Sequence, residues 1–204
     1  MSRNRASDEP RRTPPPDPVA EARREPALSR LLHRLPGLWG APISLEWRPS
    51  LRVVGRRLES GPGPGLEVHA ASFIRRRRIV LDRELLRHPG ELARIFTHEL
   101  FHFVWVRLNN RERASWAALL ASERGRGELG WSAQLRRNRL SPASVASNSR
   151  AWRLYCCESF CDTAAWFFAR RARHHEFTLG ARAGRARASW FERWLAARKG
   201  TIKV

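Results

Sequence analysis

"THELFHFVW", residues 97 to 105, sets two histidines four apart with a glutamate directly after the first. In a helix, residues i and i+4 lie on one face about one turn apart. His98 and His102 can therefore aim both imidazoles at one point, as two ligands of a tetrahedral zinc ion do. Glu99 is turned about 100° from His98. That direction does not suit a third ligand, but it reaches a water on the metal, the place of a general base. The flanking Phe96, Thr97, Leu100, Phe101, Phe103 and Val104 are uncharged and favour a dry, rigid setting. The competing reading takes both histidines as ordinary residues of an aromatic core helix.

A catalytic zinc takes a third protein ligand and keeps its fourth position for water. Downstream, the candidates are Glu158, His174, His175, Glu176 and the three cysteines. Glu158 stands out because it lies inside the apolar run "YCCESFCDTAAWFF", residues 155 to 168. A carboxylate buried there needs a partner. Asp162 follows four residues on, hence on the same face. Two acids on one buried face repel unless a cation lies beside them. A zinc ion resolves this, with Glu158 as third ligand and Asp162 accepting the outer N–H of a ligand histidine. The alternative pairs both acids with arginines, which the chain supplies freely. Cys156, Cys157 and Cys161 read as small buried helix residues, with Cys161 open as a replacement ligand.

Outside these stretches the pattern predicts a mixed α+β domain. Residues 1 to 27 are rich in Pro, Arg, Asp and Glu and almost lack large apolar side chains. They read as a disordered tail, leaving residues 28 to 204 as one domain. "ALSRLLHRL" (27 to 35) has helical spacing and ends at Pro36. "ISLEW" (43 to 47) reads as a strand, and "LRVVGRRL" (51 to 58) is expected to pair with it. "GPGPG" (61 to 65) is a turn, and "LEVHAASFI" (66 to 74) and "RIVLD" (78 to 82) are further strands. Pro89 opens the motif helix, expected to reach about Leu108 and to stop at Asn109-Asn110. A helix over "RERASWAALLASER" follows, broken by "GRGELG" (125 to 130). "LSPASVASNS" (140 to 149) reads as a loop, residues 151 to 172 as a buried helix, and "RASWFERWLAAR" (187 to 198) as a short amphipathic one.

HExxH followed by a helix carrying E-x-x-x-D resembles the gluzincin zinc metallopeptidases. It is similar to the thermolysin-like and HtpX-type enzymes. The match is "HELFH" at 98 to 102 and "ESFCD" at 158 to 162. The resemblance implies a zincin-like fold: a small sheet packed on an active-site helix, and a second helix that brings the glutamate. It implies one catalytic Zn2+ held by His98, His102 and Glu158, with Asp162 behind a ligand histidine and Glu99 as the base. It also implies an edge strand, here within residues 66 to 82, that pairs with an extended protein or peptide substrate. HtpX-type enzymes carry membrane spans and a glycine before the second histidine; this chain has Phe101 in that place and no run of about 18 apolar residues.

The reaction expected is hydrolysis of a peptide bond, with Tyr155, His174 or His175 steadying the oxyanion. The formal net charge is +20, and of the 39 basic residues only Lys199 and Lys203 are lysines. Such a surface attracts acidic partners, including nucleic acid. A DNA-associated protease of the SprT-like kind is therefore a second reading, although that family uses a third histidine where Glu158 stands here. A third reading is a non-catalytic, zinc-stabilised nucleic-acid-binding module; Glu99 has no purpose in such a site. An odd number of closely spaced cysteines does not suit a disulfide framework. With no apolar leader in the N-terminal residues, a cytoplasmic protein is expected.

Overall fold

A computed structural model describes residues 16–123, 127–170 and 173–204. The architecture is α+β, with helices around three small sheets. Chain order begins with helix α1 (Pro26–Leu32) and strands β1 (Gly37–Trp39), β2 (Ser44–Arg48), β3 (Leu51–Val54) and β4 (Arg57–Ser60). Strands β5 (Leu66–Glu67), β6 (Ala70–Phe73) and β7 (Arg78–Asp82) lead into helix α2 (Pro89–Trp105). Helices α3 (Asn110–Ser122), α4 (Trp131–Arg137), α5 (Pro142–Ala146), α6 (Arg150–Ala169) and α7 (Ala181–Ala196) follow, and β8 (Thr201–Lys203) ends the chain.

The central sheet has the order β2-β7-β6, with β2 parallel and β6 antiparallel to β7. Ile79 and Leu81 alternate out of β7 into the core, where they join Leu92, Ile95 and Phe96 of α2. Helix α2 is apolar around most of its circumference because it lies between this sheet and α6. On the α6 side the core is built on Phe160. Its ring stacks on Phe191 at 5.0 Å and meets Phe101, Trp105 and Trp116 at 5.3–5.8 Å. This aromatic packing fixes α6 against α2 and so fixes the two motif segments against one another.

Several expectations are corrected. Residues 1–15 of the expected tail lie outside the described residues, but the remainder is packed, with Val19 and Ala22 buried in the core. Backbone and acid groups tie that segment down: Ile43 N donates to Pro18 O and Leu45 N to Glu21. Strand β3 pairs with β4 and β5, not with β2. The corner at Pro49-Ser50, with Ser50 at φ +48°, turns the chain out of the central sheet, and Gly55 at φ +60° allows the tight β3–β4 turn. The expected strand 66 to 74 is two strands in different sheets, broken at Val68-His69.

Helix α2 ends at Trp105, short of the expected Leu108, and Asn109 belongs to the next helix instead. It caps α3, accepting from Glu112 N while Glu112 accepts from Asn109 N. The expected loop 140 to 149 holds α5, and α7 starts at Ala181 rather than Arg187. Helix α4 and the parallel pairing of β8 with β1 have no counterpart among the sequence expectations. No helix among the described residues is long and apolar enough to cross a membrane.

Candidate metal centre

Helix α2 carries His98, Glu99 and His102, and α6 packed beside it carries Glu158 and Asp162. Three donor atoms converge between the helices. His98 Nε2 lies 3.1 Å from His102 Nε2 and 3.4 Å from Glu158 Oε2, and His102 Nε2 lies 3.8 Å from Glu158 Oε2. Donors at about 2.0–2.1 Å from a tetrahedral zinc stand about 3.4 Å apart. The triangle formed here brackets that spacing, and a point about 2.1 Å from all three atoms lies just off its plane. The donor spacing would therefore suit an ion of zinc's size.

The outer nitrogens of both rings are also engaged by α6. His98 Nδ1–H donates to Asp162 Oδ1 at 2.7 Å, and in the neutral ring that bond puts the lone pair on Nε2, the atom at the triangle. His102 Nδ1 lies 3.5 Å from Cys157 Sγ and 3.4 Å from Cys161 Sγ. The run "CESFCD", residues 157 to 162, thus provides one of the three converging donors and the outer partners of the other two. Its helical period sets Glu158 with Asp162 on one face and Cys157 with Cys161 on the next.

Electrostatics follow from this crowding. Burial alone would lower the His98 ring, but the charge and hydrogen bond of Asp162, with Glu158, hold it well above the ordinary imidazole range. Burial pushes the Glu158 carboxyl up, yet the His98 hydrogen bond and the charges of His98 and His102 bring it down to about 2. Among the described residues no arginine ion-pairs with Glu158 or Asp162. The buried arginine of this core, Arg187, pairs instead with Glu123 and Glu128, each at 2.7 Å.

Asp162 does a second job. Its Oδ2 accepts from Ala133 N at 2.9 Å, at the start of α4. The N-cap of α4 is Gly130, which has no side chain to offer. A Cβ at residue 130 would stand 2.2 Å from Asp162 Cγ, so only glycine leaves room for the carboxylate that caps the helix in its place.

Glu99 is 9% exposed and makes no hydrogen bond or ion pair among the described residues. Its carboxylate oxygen lies within 4.8 Å of the ring nitrogens of His98 and His102. It lines a cleft of about 300 Å³ together with His98, Val68, His69, Ala70 and Trp131. The cleft wall is thus built from the start of the edge strand β6 on one side and the start of α4 on the other.

Tyr155 does not face this cleft. It is buried, its hydroxyl donates to Glu128, and burial with that neighbouring charge pushes the phenol far up. Assigning it to the oxyanion is therefore corrected: its place three residues before Glu158 turns it toward the Arg187 network. His174 Nε2 sits 3.0 Å from Glu91 Oε1, and His175 is exposed; neither lines the cleft. Glu176 does line it, accepting from Arg94 and from Trp131 N.

The residues not found from sequence are Gly130, His69 and Trp131, and the roles of Cys157 and Cys161. The one readable signal was the repeat of Cys-acid pairs four apart in "CESFCD". No protein-family model, curated protein or solved structure matches the chain.

Proposed function

We propose that the chain is a zinc-dependent peptidase of the gluzincin kind, with a zincin-like fold. The observation that carries this reading is the triangle of His98 Nε2, His102 Nε2 and Glu158 Oε2, with the unpartnered Glu99 carboxylate beside it. Bound zinc supplies Lewis-acid polarisation of the peptide carbonyl and makes water more acidic. Glu99 takes a proton from the attacking water and passes it to the departing amine nitrogen, leaving a carboxylate on the other product. The free edge of β6 offers backbone groups to an extended substrate, whose scissile bond would lie in the cleft beside Glu99. With Tyr155 engaged elsewhere, oxyanion stabilisation falls to the polar groups of the cleft, His69, Arg94 and Ser132. Three free cysteines fit a reducing compartment such as the cytoplasm.

The test is metal analysis joined to cleavage of an unfolded protein. The wild type is expected to hold one zinc per chain and to cleave. Absence of zinc, or cleavage undiminished in Glu99→Gln, overturns the reading.

A second reading, a DNA-associated protease, is favoured by one surface. A groove of about 710 Å³ on the β3–β4 hairpin and the β6–β7 connection is lined by Arg56, Arg57, Arg75 and Arg76, none with an acidic partner among the described residues. Arg48 and Arg78 also line it and share Glu46, at 2.6 and 3.0 Å. Guanidinium groups in a trough match phosphate oxygens. The third reading, a non-catalytic zinc module, leaves the buried carboxylate of Glu99 without a purpose.

A further inference from the structure

We propose that Cys157 and Cys161 are positioning residues for His102, acting as a paired sulfur acceptor that turns its Nε2 toward the metal. The ring itself sets the requirement. An imidazole that offers Nε2 as a ligand carries its proton on Nδ1, and that N–H must be received by something for the ring to be held. For His98 the receiver is a carboxylate, Asp162. For His102, the atoms around Nδ1 are the two sulfurs, at 3.5 and 3.4 Å, and all three lie within 4.8 Å of one another.

The sulfurs stand on neighbouring turns of α6, four residues apart, so one helix face brings both within reach of Nδ1. Their neighbour Cys156 is buried but is not among the atoms gathered at His102 Nδ1. Two thiols are softer and weaker acceptors than a carboxylate. The two histidines are therefore held unequally, His98 by a charged partner and His102 by polarizable ones.

The proposal rests on His98, His102 and Glu158 being a zinc site, and the experiment separates the two claims. Zinc affinity of the full chain is measured by competition with a chromophoric chelator. The double variant Cys157→Ala with Cys161→Ala is expected to bind about 10–100-fold more weakly than the wild type. Changing the same pair to serine restores part of the loss, because a hydroxyl still accepts the N–H, and Cys156→Ala leaves affinity unchanged. Wild-type affinity in the double alanine variant overturns the proposal while leaving the zinc site standing. Failure of the wild type to bind zinc overturns both.

Should the double variant not fold, the 15N resonances of His102 in the zinc-loaded chain give the same decision. Cys157→Ser shifts the Nδ1 resonance and Cys156→Ala does not. An unmoved Nδ1 resonance in Cys157→Ser overturns the proposal.

Discussion

Gly130 and Asp162 share one space: the carboxylate of Asp162 fills the position a side chain at residue 130 would take, and caps α4 from there. The same carboxylate holds His98 at 2.7 Å. One acid thus couples His98 to the helix that forms the far lip of the cleft.

This coupling predicts the effect of Gly130→Ala. The added Cβ displaces Asp162, costing about 1–3 kcal/mol of stability as an overpacked site. With His98 no longer held, zinc affinity falls about 10–100-fold. Gly130→Ser separates the two effects. Its hydroxyl can cap α4, so stability recovers in part while zinc affinity stays low. Denaturant melts with chelator competition read both, and unchanged zinc affinity in both variants contradicts the coupling.

Glu99→Gln keeps the shape of the cleft and removes the base. Cleavage is expected to fall by about 10²–10⁴-fold, the usual contribution of a positioned proton-transfer group. Zinc content stays at the wild-type level, because Glu99 is not one of the three converging donors. A loss of zinc in this variant would move Glu99 into the ligand set.

The lowered carboxyl of Glu158 gives the metal-free chain an acid limit. Its folded value of about 2 lies below the unfolded value of about 4.5, so the unfolded state takes up the proton first as pH falls. The stability it contributes is present above pH of about 4.5 and is lost progressively on descent toward about 2. Urea melts of the chelator-treated wild type and Glu158→Gln across this window are expected to converge at the acid end. A gap between them that persists at the lowest pH contradicts the assignment.

The arginine groove predicts salt-dependent affinity for DNA if the second reading holds. Replacing Arg75 and Arg76 by glutamine weakens binding without regard to sequence. It also reduces the slope of log K against log salt by about 0.9 for each phosphate no longer neutralised. Binding titrations at two ionic strengths give the slope. An affinity insensitive to both salt and the substitutions removes that reading.

Much of the scaffold was legible because its signals are local. The periodicity of residues 92 to 103 and Pro89 marked α2, and the apolar run around Glu158 marked α6. The pairing of β3 was not legible, because strand partners depend on where the chain turns, and the corner at Ser50 leaves no strong signal in its residue type. The packed segment from Val19 to Ala27 was missed because a few small apolar residues there find room in a core the other elements had already built.

At the site, the i and i+4 histidines and the two acids could be read as one chemical set. Gly130 could not, because its meaning comes from a side chain 32 positions away that occupies its space. Tyr155 was misplaced because its net offset of about 60° from Glu158 around the helix puts its hydroxyl on Glu128 rather than in the cleft.

X-ray absorption at the zinc edge of the loaded wild-type chain tests the central claim most directly. The account predicts a first shell of nitrogen and oxygen at about 2.0–2.1 Å, with multiple scattering from two imidazoles and no sulfur. A scatterer at about 2.3 Å would place Cys157 or Cys161 on the metal and contradict a site built from His98, His102 and Glu158.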